Sequence, residues 1–150
     1  MAGAALGLSA ALALTLMAAG CGSTSDYAAD ATVSCVKGLP EHAGARGLRV
    51  SPTAPVLTVL HLGGMPVQAR RVTLSFLRPD FGSAGGAAES VLYFLPDRRS
   101  AVRLRQRWYE SLPATSARRD VQQRRNAVVV WGSTPDERLL HLALGCLRAR

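Results

Sequence analysis

Apolar and polar positions alternate along this chain in two distinct rhythms, and the change of rhythm marks its elements. Ala28, Ala31, Thr32, Cys35 and Val36 recur every three or four residues, which predicts a helix over Tyr27–Lys37 that Gly38 stops. A segment punctuated by Gly and Pro then runs to Pro55, with a short strand expected at Leu48–Val50. Val56–Leu62 reads as a strand, and so does Val72–Leu77, where Val72, Leu74 and Phe76 alternate with Thr73 and Ser75. Gly63-Gly64-Met65-Pro66 predicts a turn between them. A Gly- and Ala-rich loop over Arg78–Glu89 leads to a further strand at Ser90–Leu95.

Asp97 is placed to cap a helix running to Leu112, with Ala101, Leu104, Trp108 and Leu112 as its apolar stripe and Pro113 as its stop. The Arg-rich stretch from there to Asn126 reads as a connection. Ala127–Trp131 (AVVVW) is apolar throughout, as expected of a strand buried on both faces. Thr134, Pro135 and Glu137 then combine a cap, a first-turn proline and a capping box. They start a helix that turns Leu139, Leu140, Ala143, Cys146 and Leu147 inward. This order predicts an α+β fold, a small two-layer sandwich with helices on one face of a mainly antiparallel sheet, over a single domain at 27–150.

The N-terminal segment follows neither rhythm. Met1–Gly20 carries no charge, and its apolar stretch from Ala4 to Ala19 has the length of an export signal's core. It ends in Met17-Ala18-Ala19-Gly20-Cys21-Gly22, which resembles the lipobox of bacterial lipoproteins. The resemblance implies a signal peptide over 1–20, a diacylglyceryl group on the Cys21 thiol, and a mature chain that starts at Cys21. It further implies an anchor on the extracytoplasmic face of the cell membrane, with residues 21–26 as a short tether. Ala18 stands where the family usually has Leu, and no Lys or Arg precedes the apolar stretch. An ordinary cleaved signal and an uncleaved anchor helix are the alternatives. The Arg-, Ala- and Gly-rich composition looks like that of a GC-rich genome such as those of actinobacteria, and the lipobox with a Cys35–Cys146 clamp resembles small lipoproteins of that group.

Three cysteines in an exported chain leave one over. Lipidation of Cys21 accounts for it, and Cys35 and Cys146 are then free to form a disulfide in an oxidising compartment. The alternative is two buried thiols.

The 150 residues carry a net charge of +8, and Arg supplies all the basic residues except Lys37. Between Arg98 and Arg125 nine Arg face only Glu110 and Asp120, a local charge of +7. Arg98, Arg99 and Arg103 are accordingly the residues expected to touch an anionic surface, either phospholipid headgroups or an acidic wall polymer. A solvated helix face in an Arg-rich composition is the plainer alternative. Nucleic acid is not an expected partner for an exported chain, and a protein partner is left open.

No motif for a nucleophile, a phosphate loop or a dinucleotide is present. His42, His61 and His141 stand at no metal-ligand spacing, so neither a metal nor a cofactor is expected. His61, inside an apolar strand, is expected to be a hydrogen-bonded structural residue. The function expected is a non-enzymatic, membrane-anchored binding or interaction domain. The alternatives are an envelope hydrolase using carboxylates such as Asp80, Glu89, Asp97 and Glu110, and an electrostatic accessory that holds anionic lipid or polymer. An exposed apolar patch would mark the binding domain, and converging titratable groups in a pocket would mark the enzyme.

Overall fold

The computed structural model describes residues 26–39, 49–77, 88–114, 120–132 and 137–147. The proposed signal and Cys21, the Gly/Ala-rich loop with Asp80, and the capping residues Thr134 and Pro135 lie outside them. Six strands form one sheet: β1 (Arg49–Pro52), β2 (Val56–Leu62), β3 (Met65–Leu77), β4 (Ala88–Phe94), β5 (Val121–Arg124) and β6 (Ala127–Trp131). Three helices accompany it among the described residues: α1 (Ala29–Lys37), α2 (Arg98–Ser111) and α3 (Glu137–Gly145). None of these helices is long and apolar enough to cross a membrane.

Every strand pairing is antiparallel, and the sheet runs β1-β3-β4-β6-β5, with β2 also on β3. β1 and β2 share one edge of the long strand β3. Pro52 faces Leu74 and Val56 faces Arg71, so the three residues Thr53–Pro55 oppose only two on β3. That extra residue is a bulge, which suits Pro55 because the ladder asks no N–H of it there. Thr53 bridges the gap: its Oγ1 accepts from the Thr73 N–H at 3.0 Å, and its own N–H donates to the Thr73 carbonyl at 2.8 Å.

The α+β class and the antiparallel sheet agree with the sequence pattern, but the helices divide between the two faces where one had been expected. Val72, Leu74 and Phe76 of β3, Leu92 and Phe94 of β4, and Ala127, Val129 and Trp131 of β6 pack under α1 and α3. The alternate residues Ala69, Leu95 and Val128, together with Leu62 and Val121, pack under Ala101 and Leu104 of α2. The arrangement therefore has three layers. The AVVVW run required this, because Val128 and Val129 point to opposite faces and both are fully buried.

On the α1 face Cys35 and Cys146, 111 positions apart in sequence, are bonded, with Cα atoms 5.4 Å apart. The buried side of α1 is Ala29, Thr32, Val33 and Val36, while Ala31 is exposed, a rotation from the stripe expected. Asn126 holds the start of this segment. Its Oδ1 accepts from the Tyr27 N–H at 2.8 Å, and its Nδ2 donates to the carbonyls of Leu95 (2.9 Å) and Tyr27 (3.2 Å).

Candidate functional site

Hairpin β2–β3 is the part of the sheet whose pattern is not exhausted by the core. Gly63 and Gly64 form its turn, at φ 61° and 81°. Positive φ at both central residues marks a type I′ turn, which glycine adopts without strain. Such a turn makes Leu62 and Met65 a hydrogen-bonded pair, and the pairs alternate from there along the register. Leu60, Thr58 and Val56 therefore bond to β3, whereas His61, Val59 and Leu57 turn their backbone N–H and C=O groups outward. Pro66 faces His61, a position from which the hairpin ladder needs no N–H.

β4 reaches β3 only from Arg70 onward, so Met65–Ala69 and their partners Thr58–Leu62 project past it. Val56 is 51%, Leu57 63%, Val59 53% and Met65 51% exposed. Leu57 and Val59 share one face with His61, and Val56 and Met65 share the other. His61 is thus an exposed residue of an edge strand, where a hydrogen-bonded structural histidine is expected from the sequence, because among the described residues no strand pairs with the outer side of β2.

α2 guards one end of this edge. Asp97 caps it, its Oδ1 accepting from the Ser100 N–H at 2.7 Å and its Oδ2 from the Ser100 hydroxyl at 2.9 Å. These bonds, the backbone one foremost, hold the Asp97 carboxyl below the ordinary aspartate range. Leu104 anchors the helix in the core, and less than one turn further on the Arg107 guanidinium donates to the outward carbonyl of His61. Two shallow hollows flank that contact. One, of about 460 Å³, lies over Leu60, Tyr93, Leu104 and Trp108, and the other, of about 570 Å³, lies between Leu62, Val102, Arg103 and Glu110.

Arg98, Arg99 and Arg103 are all exposed on the first half of α2. Arg105 instead turns inward, with its guanidinium carbon 5.6 Å from the centre of the Tyr109 ring. Asp97 and Glu110 sit at opposite ends of α2, about 20 Å apart along the axis. Glu110 accepts from Gln106 at 3.2 Å, and Glu89 is an exposed residue of β4 opposite Ser75. The fold does not bring these three carboxylates together. Among the described residues no group of three or more His, Cys, Asp or Glu is placed to hold a metal.

The edge at β2 was open to sequence reasoning but not drawn from it. Val56–Leu62 carries no charge and no Pro, unlike a strand that must stay solvent-facing. No family model matches this chain, and neither a curated protein nor a solved structure is similar to it.

Proposed function

We propose that the chain is a cell-envelope lipoprotein, anchored by lipid on Cys21 at the extracytoplasmic face of the membrane, and that its domain binds a partner through hairpin β2–β3. The observation that carries this reading is the contrast between the two edges of the sheet. β2 presents VLTVLHL with three large apolar side chains half exposed or more, while β5 presents VQQR, its exposed end being Arg124. Folded chains protect open edges with charge and short strands, as at β5. An edge left apolar and uncharged is suited to being covered, and an exposed apolar patch of this kind marks contact surfaces.

The test uses the full chain in a bacterial host that processes lipoproteins. A fatty-acid analogue is expected to label the wild type and not Cys21→Ser. A photocrosslinking residue at Val59 is expected to give adducts in the membrane fraction, and the same residue at Arg124 none. Equal labelling of Cys21→Ser removes the lipoprotein reading, and silence at Val59 removes the contact surface.

A second reading, contact with anionic phospholipid or wall polymer, draws on the start of α2. Arg98 and Arg99 occupy its first turn, where the helix dipole disfavours positive charge by about 0.3–1 kcal/mol each. Binding to anionic vesicles that falls with salt, and that weakens when Arg98, Arg99 and Arg103 become Gln, supports it. Indifference to anionic vesicles at low salt ends it.

A further inference from the structure

From the pattern of backbone groups along β2 we infer that the partner covering this edge is a second copy of the same chain, joined β2 to β2 in antiparallel register about a two-fold axis at Thr58. The inference rests on the reading of the hairpin as the contact surface and names its occupant.

The register follows from which groups are free. Only Leu57, Val59 and His61 turn N–H and C=O outward, and the His61 carbonyl already accepts from Arg107. An axis at Thr58 sets Leu57 against Val59 of the second copy and Val59 against its Leu57. These are two hydrogen-bonded pairs that exchange four backbone bonds. The next such pair brings His61 opposite Pro55. Pro55 has no N–H to give, and the His61 carbonyl that would need one is satisfied by Arg107, while the His61 N–H still reaches the Pro55 carbonyl. Shifting the axis to Val59 aims the Leu57 N–H at the occupied His61 carbonyl. Shifting it to Leu57 sets the Val59 carbonyl against Pro55 and leaves it without a donor. The Thr58 axis is the one that orphans nothing.

Side chains agree with the backbone. On one face Leu57 meets Val59 twice, and on the other Val56 meets Leu60 twice, with Thr58 beside its own copy on the axis. No charged residue lies on β2 to repel its twin. The residues bearing the Arg107 contacts, His61 and its copy, stand six strand positions apart, about 20 Å, which is beyond a Debye length at physiological salt. By contrast, the β5 edge would set Arg124 and Arg125 against a second copy. The contact spans five residues and falls short of the roughly 1,200 Å² of a standard stable interface. The dimer is therefore weak in dilute solution and populated where copies share a membrane and tethering raises their effective concentration.

The test is disulfide trapping of the full chain in native membranes. On the axis, Thr58 and its copy form a pair without backbone bonds between them. Their Cα atoms are then about 4.5 Å apart, within disulfide range. Thr58→Cys is expected to give a reducible species of twice the mass under mild oxidation, and Arg124→Cys none. Adding Val59→Lys to Thr58→Cys is expected to reduce trapping at least tenfold. Folding is followed separately through a protease-resistant core and the Cys35–Cys146 bond. A folded Thr58→Cys chain that stays monomeric overturns the inference, as does equal trapping at Arg124→Cys or trapping that ignores Val59→Lys. If Val59 photocrosslinks to a different protein while Thr58→Cys stays unlinked, the contact surface stands and the second copy falls.

Discussion

The two faces of the sheet are held by different means. Under α1 and α3 the layer is closed by a covalent bond between the helices and by Asn126, which fixes the entry to α1 through three hydrogen bonds. Under α2 no disulfide crosses among the described residues, and the helix is kept by Ala101 and Leu104 in the core, by its Asp97 cap and by hydrogen bonds from Arg107 to the hairpin and from Tyr109 to the Val121 carbonyl. The hollows lie along this second helix, and the exposed apolar edge runs beside them, with Val56 and Met65 on the α2 face and Leu57 and Val59 on the other, past the cover of α1. One face is thus built to hold, and the other leaves surface for contact.

The largest effect expected from breaking this comparison is on the held face. Cys35→Ser or Cys146→Ser opens a loop of more than a hundred residues and should cost about 4–5 kcal/mol in the chain-entropy account. Urea denaturation with and without reductant measures it. If the reduced chain is as stable as the oxidised one, packing alone holds α1 and α3, and the two faces do not differ in kind. On the α2 face Leu104→Ala should cost about 3 kcal/mol, since the side chain is buried between the helix and Val128 with no crosslink to limit the loss. Hydrogen exchange should then quicken first in α2 and hairpin β2–β3, while α1 stays protected.

Much of this division was legible in the sequence, and the part that was not has a physical reason. Strands β2, β4 and β6 and helices α1 and α2 follow the rhythm of their apolar residues to within about two positions. The AVVVW run even implied cover on both faces, against the two-layer sandwich inferred from element order. The first half of β3 is hidden in the sequence, because Met65-Pro66 reads as part of a turn and the Arg70-Arg71 pair masks the alternation that follows. Met65–Ala69 project past β4, where only one side of the strand needs a partner, and Arg70 and Arg71 sit where β4 begins to pair. β5 reads as part of a connection in the sequence, because an edge strand can be built from Val121, two Gln and Arg124 without an apolar run. Arg98, Arg99 and Arg103 are exposed, as their place opposite the Ala101–Leu104 stripe implied. The outward groups of β2 and their contact with Arg107 were not legible, because they depend on a pairing 46 residues away in sequence.

A smaller effect sharpens the α2 side. Asp97→Ala removes the acceptor at the helix start and should cost about 1 kcal/mol. The carboxyl is held below its ordinary range in the folded chain, so its contribution is present above the unfolded-state value. It is lost as pH falls through the folded value, in the region below about pH 4. Asp97→Asn keeps an acceptor and should retain most of the cap at pH 7 while removing this share of the acid dependence. Thermal melts of the three chains between pH 3 and pH 7 check both statements. Parallel pH profiles for wild type and Asp97→Asn would show that the cap acts through its shape and not its charge.

The smallest expected effect is the most diagnostic. Val59→Lys replaces a side chain that is 53% exposed on an edge strand and belongs to neither apolar cluster. A lysine there can keep its aliphatic stem along the strand and its ammonium in water, which is how many natural edges are protected. The isolated chain should therefore change stability by about 0.5 kcal/mol or less, within the usual range for surface substitutions. The same change should abolish association through β2, because pairing would bury two ammonium groups beside Leu57 without an acid to meet them. A loss above about 1.5 kcal/mol in the monomer would mean that Val59 belongs to the fold's own packing. The β2 edge would then be part of what holds the domain together, and the contrast between a holding face and a contacting one would fail at the place where it is most sharply drawn.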